Sequence, residues 1–591
     1  MKFQIFLRIL DRICQEAPDS MEKRYRPSAE DIEKVNQARA RAFVHLYLKV
    51  MFGITEFMDR ERTITDGSSD GGVDGYYIDS DTKAIYLVQS KFRTTETNFE
   101  NKEISVEEIL AMDINRILEG ESRDDSGQEY NGKIKQLQRD VSSLPDIARY
   151  SYKIVILANL TGIPAAKIRQ LTGGYPAEMF DFDKTYNRLV FPVLTGTYFA
   201  ASDIVIPVDL SNKNAGAKIS YNVRTKYGDC EITVLFVPTL EIAMIMDKYR
   251  NTILRYNPRS YLDFQGQSVN VAIRDTIVNS HTNEFALFNN GITMLSEETN
   301  INEKIGQKNK AQLRIRNPQI INGGQTSFTL SRIFRDNPQD SESIFRDKEV
   351  LLKIITLVGT DSAASRLHLI DEISNATNKQ TPVVNADKFA NESVHIDLQH
   401  KVFERYGLLY ERKRGEFSDG VRDGYVDQDS IIERNHFWRL FYSANGKINR
   451  GFQKKLFQQN RFDDILPATD QSLDRLFLAI DVFQHLRRDM KQNARIGRDF
   501  YGKVFAYIEL FTGDGFQQGT TTIDANITKL RNKWDEFLRL QSAKEGASFR
   551  TYLDKETGQQ QRRFSAKRYF GSHLFEGDLI TYFKAETHTA A

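Results

Sequence analysis

Two short apolar runs separated by a polar turn restrict the fold of this chain more strongly than any other feature. The runs are Val73–Ile78 and Ile85–Val88, both rich in β-branched and aromatic residues, and residues 79–82 between them are turn formers. Two such runs on either side of a polar turn are typical of antiparallel strands. The pattern therefore predicts a β-hairpin.

Three polar residues fall at the open end of this predicted hairpin. Gln89 and Lys91 are two positions apart on a strand, so their side chains project to the same face. Pairing around the turn brings Asp74 to nearly the same level, and we expect a carboxylate, an amide and an ammonium group to converge. The plainer alternative is that Asp74-Gly75 is only a turn pair and that residues 89–91 form a solvated strand end.

This set of groups suits phosphodiester hydrolysis. Asp74 and Gln89 offer hard oxygen ligands for Mg²⁺ (or Mn²⁺), and Lys91 would position the attacking water or offset charge on a phosphate. Because Gln89 is neutral, a further carboxylate would help to hold the ion. The sequence offers three nearby, between which it does not choose: Glu56, Glu61 and Asp70. We take Glu56, with Asp74 and Gln89, as the predicted metal ligands.

The elements around the hairpin give it a context. A helix is predicted over Ser28–Met58, with Ser28 as its cap. Helical segments follow at Val106–Leu118 and Ile134–Val141, and then a strongly apolar strand at Tyr152–Ala158. The predicted order is therefore helix, hairpin, helix and buried strand.

This order and the Asp74, Gln89 and Lys91 set resemble the PD-(D/E)xK nuclease superfamily, in the Mrr-like variant in which Gln replaces the middle acid. The resemblance implies a restriction-endonuclease-like core and gives these three residues the catalytic positions. The neutral Gln89 departs from the more common acid, so a weaker metal site is expected.

Length and composition restrict the class of protein. A chain of 591 residues is too long for one core, so we predict an α/β (α+β) multidomain protein. The net charge of +1 gives no global attraction to polyanions, so only local patches would bind one. Cys14 and Cys230 are the only cysteines, which fits a reducing cytoplasm, and no apolar stretch reaches membrane-spanning length.

Four segments are predicted along the chain. Residues 1–165 form the nuclease-like domain and residues 166–229 a connecting β region, with strand candidates at Arg188–Leu194 and Ile204–Val208. Strand and helix patterns alternate over residues 230–440, which indicates an α/β domain. Helical patterns dominate residues 441–591.

The middle segment carries a series of distinctive motifs. In order these are FALFNNGITM (Phe285–Met294), NPQIINGGQTSFTLSRIF (Asn317–Phe334), ISNATNKQTPV (Ile373–Val383) and ERKRGEF (Glu411–Phe417). Together they resemble the AIPR family, the abortive-infection phage-resistance proteins of bacteria. The resemblance implies a role in antiviral defence, and members of this family often carry an Mrr-like nuclease region ahead of the shared domain.

One of these motifs is a candidate phosphate site. It links a predicted strand to a predicted helix and consists of Asn322, Gly323, Gly324, Gln325 and Thr326. Two glycines allow close backbone approach, and free amides at a helix start favour an anion. The alternative is a tight turn without a ligand, and both interpretations stay open.

Further polar segments are weaker candidates. Arg412 and Arg414 are suited to phosphate contact, although a solvated face is the plainer interpretation. Asn375, Asn378 and Gln380 would line the same pocket or serve only as loop residues. Two basic stretches with interleaved aromatics, Lys447–Phe462 and Gln561–Phe570, suit nucleic acid or an amphipathic helix.

We therefore predict a Mg²⁺-dependent DNA endonuclease of bacterial anti-phage defence, cytoplasmic and acting as a dimer. Two alternatives stay open: a non-enzymatic sensor that binds a nucleotide or nucleic acid, and an RNase that acts on transcripts.

Overall fold

The computed structural model describes residues 2–80, 82–101, 112–160, 163–198, 203–210, 218–257, 268–360, 366, 369–370, 372–374, 376, 393–452, 470–488, 496–512, 516, 518–544, 549–553 and 560–589. The chain divides into two compact units, residues 1–382 with 413–430 and residues 383–412 with 431–591. Helices occur beside several separate sheets, so the predicted mixed, multidomain fold class is confirmed. The four segment boundaries stay predictions.

The first unit contains three sheets and most of the short helices. Its strands are β1 (Gly75–Asp79), β2 (Ala84–Ser90), β3 (Ser151–Leu157), β4 (Ala177–Met179), β5 (Asp203–Asp209), β6 (Lys218–Thr225), β7 (Gly228–Pro238), β8 (Ile292–Ser296), β9 (Glu298–Asn302), β10 (Lys310–Arg316), β11 (Gln319–Asn322) and β12 (Glu349–Thr360). Its helices are α1 (Lys2–Gln15), α2 (Glu22–Tyr25), α3 (Ile32–Phe52), α4 (Phe57–Glu61), α5 (Glu96–Glu100), α6 (Ile114–Leu118), α7 (Gly132–Ser142), α8 (Ala165–Leu171), α9 (Phe182–Thr185), α10 (Phe191–Thr195), α11 (Thr239–Tyr249), α12 (Ser268–Val278), α13 (Phe285–Phe288), α14 (Gly324–Asp336), α15 (Ser341–Phe345) and, after the second unit's α16 (Ser393–Tyr406), α17 (Ser418–Arg422).

The predicted hairpin is confirmed. Strands β1 and β2 pair antiparallel, with Gly75 opposite Val88, and β2 continues into a four-stranded sheet of order β1-β2-β3-β4 in which β3 and β4 run parallel to it. Ile85 and Leu87 of β2 are buried on the same core as Ile134 of α7, because alternate strand residues share a face. The apolar strand predicted over Tyr152–Ala158 is β3.

The long helix ahead of the hairpin is shorter than predicted. It runs over α3, and the Asp31 carboxylate, not Ser28, caps it by accepting the Lys34 N–H at 3.1 Å. It ends at Gly53, whose φ of 68° is a left-handed conformation that favours glycine. The predicted helix Ile134–Val141 is confirmed within α7. Of the predicted helix Val106–Leu118, the structure describes residues 112–118, of which α6 is helical.

The connection after this sheet contains one wrong strand prediction. Arg188–Leu194 is helical, with a π-turn at Tyr186–Val190 that leads into α10. Pro192 in the first turn of α10 lacks the N–H that a strand ladder would need. The strand predicted at Ile204–Val208 is confirmed as β5, which pairs with β10 in a sheet of order β5-β10-β9.

The largest sheet of the first unit has the order β11-β8-β12-β7-β6. It shares a core with α11 and α14, in which Ile242, Leu330 and Leu352 are fully buried. The segment Asn289-Asn290-Gly291 joins the helical turn α13 to β8, whose neighbours are β11 and β12, so this Asn-Gly pair is not a hairpin turn.

The second unit is mainly helical, as predicted for the end of the chain. Besides α16 it contains α18 (Arg434–Ala444), α19 (Ile448–Gly451), α20 (Asp470–Arg488), α21 (Arg498–Phe511), α22 (Thr520–Ser542), α23 (Ala566–Phe570), α24 (Leu574–Thr589) and the strands β13 (Leu409–Glu411), β14 (Ile431–Glu433), β15 (Phe549–Leu553) and β16 (Gln560–Phe564). Its core is rich in aromatic residues around Trp438 and Trp534.

A short strand precedes the first helix after residue 430. Residues Ile431–Glu433 form β14, which pairs in parallel with β13, and the chain turns helical at Arg434. The Glu433 carboxylate causes this start because it accepts the His436 N–H at 3.1 Å as an N-cap. Among the helices in the described part of the chain, none is both long and apolar enough to cross a membrane.

Candidate functional site

Asp74 lies at the open end of the hairpin, as its spacing predicts. Its N–H donates to the Val88 carbonyl at 2.8 Å, and its carboxylate accepts the Ser90 N–H at 2.6 Å. These two bonds fix the residue between the end of β2 and the loop that precedes β1. Gly75 belongs to β1 and is not part of a turn; a Cβ there would approach Val44 of α3 to 2.8 Å.

Two further aspartates converge on Asp74. Among the described residues, one group of acids has metal-site geometry: Asp66, Asp70 and Asp74, whose ligand atoms lie within 4.8 Å of one another. Asp70 was one of the three candidate carboxylates, whereas Asp66 was not foreseen. The repeated Asp-Gly pairs in DGSSDGGVDG, residues 66–75, were a signal that could have found both.

The loop that carries these acids contains two glycines in a left-handed backbone conformation, which larger residues rarely adopt. Asp70 folds it by accepting the N–H groups of Gly67 at 3.1 Å and of Gly72 at 2.9 Å. Gly71 and Gly72 have φ of 60° and 74°, in the left-handed region. A Cβ at Gly71 would approach Ile117 of α6 to 2.9 Å. The two glycines therefore allow the tight return that brings Asp70 beside Asp74.

Charge in this group is unfavourable without a cation. Burial raises the pKa of Asp74 to about 7; the Ser90 N–H lowers it, the charges of Asp66 and Asp70 raise it, and the charge of Lys91 lowers it. Burial also raises the pKa of Asp70 above its ordinary range, against its two backbone hydrogen bonds. The three carboxylates are half-buried, and a bound cation stabilises such a group because it offsets both repulsion and desolvation.

Gln89 and Lys91 both lie beside this loop. Gln89 is almost fully buried, and its Nε2 donates to the Gly72 carbonyl at 2.9 Å, so its amide supports the acid-bearing loop directly. The Lys91 N–H donates to the Leu157 carbonyl of β3 at 3.0 Å, and its side chain is half-buried. The charge of Lys91 lowers the pKa of both Asp70 and Asp74, which places its ammonium group in their field.

Glu56 and Glu61 have other surroundings. Glu56 is exposed just ahead of α4, and it does not belong to the three-acid group. Glu61 is buried: it hydrogen-bonds the Tyr25 hydroxyl, its Oε2 lies 3.2 Å from His45 Nε2, and its Oε1 lies 3.2 Å from Arg24. Burial raises the pKa of Glu61, but the bonds from His45 and Tyr25 and the charge of Arg24 outweigh it and hold the pKa below its ordinary value.

Two arginines connect this buried cluster to the acid-bearing loop. Arg24 donates to the Asp66 carbonyl at 3.1 Å, and Arg41 of α3 lies 2.6 Å from the Asp66 carboxylate. Asp66 is thus held on its backbone and on its side chain. Neither arginine had been singled out in the sequence, where both belong to an ordinary charged helical pattern.

The donor set fits a small divalent cation. Three carboxylates supply the hard oxygen atoms that Mg²⁺ and Mn²⁺ prefer, and a group with retained waters does not require a complete protein cage. Gln89 carries no charge, so Asp66 and Asp70 supply the negative charge that the hairpin residues alone lack. The residues that would hold the ion are thus Asp66, Asp70 and Asp74.

The Asn322–Thr326 loop joins β11 to α14, as predicted from the glycine pair. Gly323 has a φ of 84°, and a Cβ there would approach the Gly291 carbonyl oxygen to 3.0 Å. A Cβ at Gly324 would approach Asn257 Nδ2 to 2.9 Å. Both glycines are therefore required by packing against the protein itself.

The polar side chains of this loop bond within the protein. Asn322 Oδ1 accepts the Gly323 N–H at 2.7 Å, and Gln325 Nε2 donates to Asn270 Oδ1 at 2.7 Å. Thr326 Oγ1 accepts from Asn289 Nδ2 at 3.1 Å. The loop thus has the bonds of a tight strand-to-helix turn, and its binding of a phosphate stays a prediction.

The other predicted binding residues are dispersed. Arg412 donates to Gln399 Oε1 at 2.9 Å, whereas Arg414 is exposed. Between them in the chain, Lys413 is buried and donates to the carbonyls of Arg255 at 2.6 Å and Asn257 at 3.2 Å. Lys413 therefore stabilises the fold through these two bonds.

Several sequence candidates are only partly covered by the structure. Asn375, Asn378 and Gln380 lie outside the described residues, as does most of Lys447–Phe462. In the stretch Gln561–Phe570, Tyr569 is buried in the helical core while Arg562 and Arg563 are exposed.

Comparison with known protein families identifies a match to part of the chain. The family model described as AIPR protein matches residues 254–539. No curated protein and no solved structure matches the chain. The match includes the Asn322–Thr326 loop and Lys413, and the three-acid group lies outside it. Over residues 254–539, the match supports an AIPR family protein.

Proposed function

We propose that this chain is a metal-dependent endonuclease that hydrolyses DNA phosphodiester bonds in bacterial defence against phage. The observation that carries the proposal is the group of Asp66, Asp70 and Asp74, whose ligand atoms lie within 4.8 Å of one another with Lys91 in their field. The defence role rests on the AIPR match, since abortive infection is what this family suggests.

The arrangement of elements supports the same chemistry. The acids and Lys91 lie at one end of a mixed sheet, behind a long helix and ahead of a parallel strand, which is the order in the Mrr-like nucleases that the motif resembles. Perturbed pKa values that arise from burial and like charge are concentrated at functional sites. The raised pKa values of Asp70 and Asp74 meet this description.

Each residue then has a definite task. Bound Mg²⁺ or Mn²⁺ would polarise the scissile phosphate and lower the pKa of water. Asp66, Asp70 and Asp74 would hold the ion, and Gln89 would hold their loop through the Gly72 carbonyl. The ammonium group of Lys91 would orient the attacking water and offset the negative charge that develops on the phosphate oxygens.

A second set of contacts supports a controlling role for the AIPR-matched region. Tyr425 belongs to that region, and its hydroxyl lies 2.7 Å from Lys49 Nζ of α3. Lys49 in turn donates to Glu16 at 2.6 Å, and Glu16 pairs with Arg60 of α4. Lys49, Arg60 and Tyr425 of this network are buried. The network lies within the first unit and joins the matched region to the helices that precede the acid-bearing loop, so a displacement of one would move the other.

The test is cleavage of supercoiled plasmid and of single-stranded RNA, with Mg²⁺, with Mn²⁺ and with EDTA. We expect nicked or linear DNA only with the metals. Cleavage of RNA alone would instead support an RNase, and intact nucleic acid in both arms, with phage DNA or nucleotides added, would support a non-enzymatic sensor. Light scattering on the same sample tests the predicted dimer.

A matched lysine variant provides the control. Lys153 of β3 is exposed, on the strand next to β2, and donates to the Tyr86 hydroxyl at 3.2 Å. We expect Lys153→Ala to cleave as the parent does, so a loss confined to variants of the three acids and Lys91 would identify the active site.

A further inference from the structure

Besides Arg24 and Arg41, which hold Asp66, the acid-bearing loop is held by Asn131, immediately before α7. Its Nδ2 donates to the carbonyls of Thr65 at 3.1 Å and Ser68 at 3.3 Å, and its backbone N–H donates to the Ser69 carbonyl at 3.0 Å. These three acceptors flank Asp66 and directly precede Asp70. One side chain and its own N–H thus restrain most of the turn that carries two of the three acids.

The same residue has a separate task in α7. Its Oδ1 accepts the N–H groups of Lys133 at 3.0 Å and Ile134 at 2.9 Å, which makes it the N-cap of that helix. The amide oxygen therefore caps the helix, while the amide nitrogen donates to the loop. An amide is needed for both, because a carboxylate offers only acceptors.

The remaining ties of the loop do not replace this contact. The N–H groups of Thr65 and Asp66 both donate to the Asp74 carbonyl, at 3.0 and 3.2 Å, and thereby fix the start of the loop to β1. The Asp70 carboxylate accepts the N–H groups of Gly67 and Gly72, and its carbonyl accepts the Val73 N–H at 3.2 Å, so these bonds stay inside the loop. Further along, the Gly71 carbonyl accepts the Asp113 N–H at 2.9 Å just ahead of α6, and the Gly72 carbonyl accepts from Gln89. The contact of Asn131 with Ser68 and Ser69 ties the part of the turn between these points to α7.

We propose that Asn131 is a positioning residue for the three acids and sets their affinity for a divalent cation. The proposal rests on the metal site described under the proposed function. Carboxylates this close repel one another, so a loop released at residues 68–70 would relax by moving Asp70 away from Asp74. Residues that orient metal ligands through hydrogen bonds typically change metal affinity by about 10- to 100-fold when mutated.

The most informative variant is Asn131→Asp. It keeps the cap acceptor of α7, loses the donation to Thr65 and Ser68, and adds a negative charge near the group. Charge alone would tighten cation binding, whereas loss of positioning would weaken it, so the two effects have opposite signs. We expect Mn²⁺ binding about tenfold weaker than in the parent.

Asn131→Ser is a neutral companion, since Ser is a good helix cap but too short to reach the loop carbonyls. Asp31→Ala is the matched control, because it removes the cap of α3 without touching the loop. We expect Asp31→Ala to melt at a lower temperature with unchanged Mn²⁺ affinity. The Asn131 variants should show the reverse pattern, weaker binding with a smaller change in the melting temperature of the metal-free protein.

The first experiment is a titration of the full chain with Mn²⁺, in which the free ion is measured by electron paramagnetic resonance. The second measures cleavage of DNA at increasing Mn²⁺ concentration. High Mn²⁺ should restore cleavage by Asn131→Ser and leave Lys91→Ala inactive. If the parent binds Mn²⁺ and both Asn131 variants bind it equally well or more tightly, the positioning role is wrong while the metal site stands. If the parent binds no Mn²⁺, the metal site itself is wrong and the positioning role falls with it.

Discussion

Two glycine-rich polar turns of this protein look alike in sequence and differ in their electrostatics. The turn at residues 66–75 brings three carboxylates together, and burial raises the pKa of both Asp70 and Asp74. The turn at Asn322–Thr326 pairs neutral donors with neutral acceptors, as in the bond from Asn289 to Thr326. Glycines and polar side chains alone therefore do not indicate a ligand site. What distinguishes the two turns is whether the polar groups repel one another, as the three carboxylates do, or satisfy one another by hydrogen bonds.

This difference has an energetic meaning. A turn whose polar groups satisfy one another stabilises the fold and gains little from a ligand. A turn that brings like charges together away from water destabilises the folded state, and a cation that binds there restores stability because it neutralises them. Functional sites are the places where a fold carries such a cost, so the acid-bearing turn is the stronger candidate.

The most severe test of this contrast is Lys91→Ala. Lys91 is the one cation of the hairpin motif, and its loss should reduce metal-dependent cleavage by about 10²- to 10³-fold, since it no longer offsets charge on the phosphate. The unfolding midpoint should change little, because the side chain is only half-buried. Initial rates of plasmid cleavage measure the effect, and a rate equal to that of Lys153→Ala would remove Lys91 from the mechanism.

Asp74→Asn tests the electrostatic cost directly. In the folded chain the pKa of Asp74 is about 7, above its ordinary value of 3.8, so the folded state binds the proton more tightly than the unfolded state does. Stability of the metal-free protein contributed by this group therefore falls as the pH rises from about 4 to 7 and stays low above 7. The variant should abolish Mn²⁺ binding and yet raise the free energy of unfolding at pH 8 by about 2 to 4 kcal/mol.

Urea unfolding in EDTA at pH 5 and at pH 8 measures this linkage. The gain in stability over the parent should be larger at pH 8 than at pH 5, and it should vanish below about pH 3, where Asp74 is protonated in both states. A variant less stable than the parent at pH 8 would mean that the carboxylate is a structural anchor, and the contrast between the two turns would be lost.

Thr326→Val tests the other turn. Valine has nearly the same shape but cannot accept from Asn289 Nδ2, so we expect a loss of about 1 to 2 kcal/mol in unfolding free energy. Cleavage rates and DNA affinity should not change. If the variant instead keeps its stability and loses affinity for DNA or for a nucleotide in a filter-binding assay, the loop is a binding site and its resemblance to the acid-bearing turn is functional.

The helices and strands around the candidate site could be predicted from the sequence, but not all of the residues that form the site. The hairpin and β3 could be predicted because alternating and continuous apolar runs read directly as strands. Asp74, Gln89 and Lys91 could be placed near one another from strand periodicity alone. Asp66 could not, because its position depends on a loop shaped by left-handed glycines and by Asn131, more than fifty residues away in the chain.

The failures elsewhere have different causes. Arg188–Leu194 has the composition of a strand, but Pro192 lies in the first turn of a helix that Gly196 ends with a left-handed conformation. Ser28 is a good cap by residue type, yet Asp31 is the residue whose carboxylate reaches the helix N–H groups. The cap depends on a bond that becomes visible only in three dimensions, whereas Pro192 was already a signal in the sequence against a strand.

The smallest expected effect separates the predicted metal ligand from the observed group. Glu56 was the carboxylate chosen from the sequence, but it is exposed beside α4, whereas Asp66 lies with Asp70 and Asp74. Glu56→Gln should therefore leave Mn²⁺ affinity within about twofold of the parent, because an exposed charge outside the group is screened by salt. Asp66→Asn should weaken it by about tenfold or more. Equal losses in the two variants, measured by the same Mn²⁺ titration, would mean that the loop rearranges around the ion to recruit Glu56.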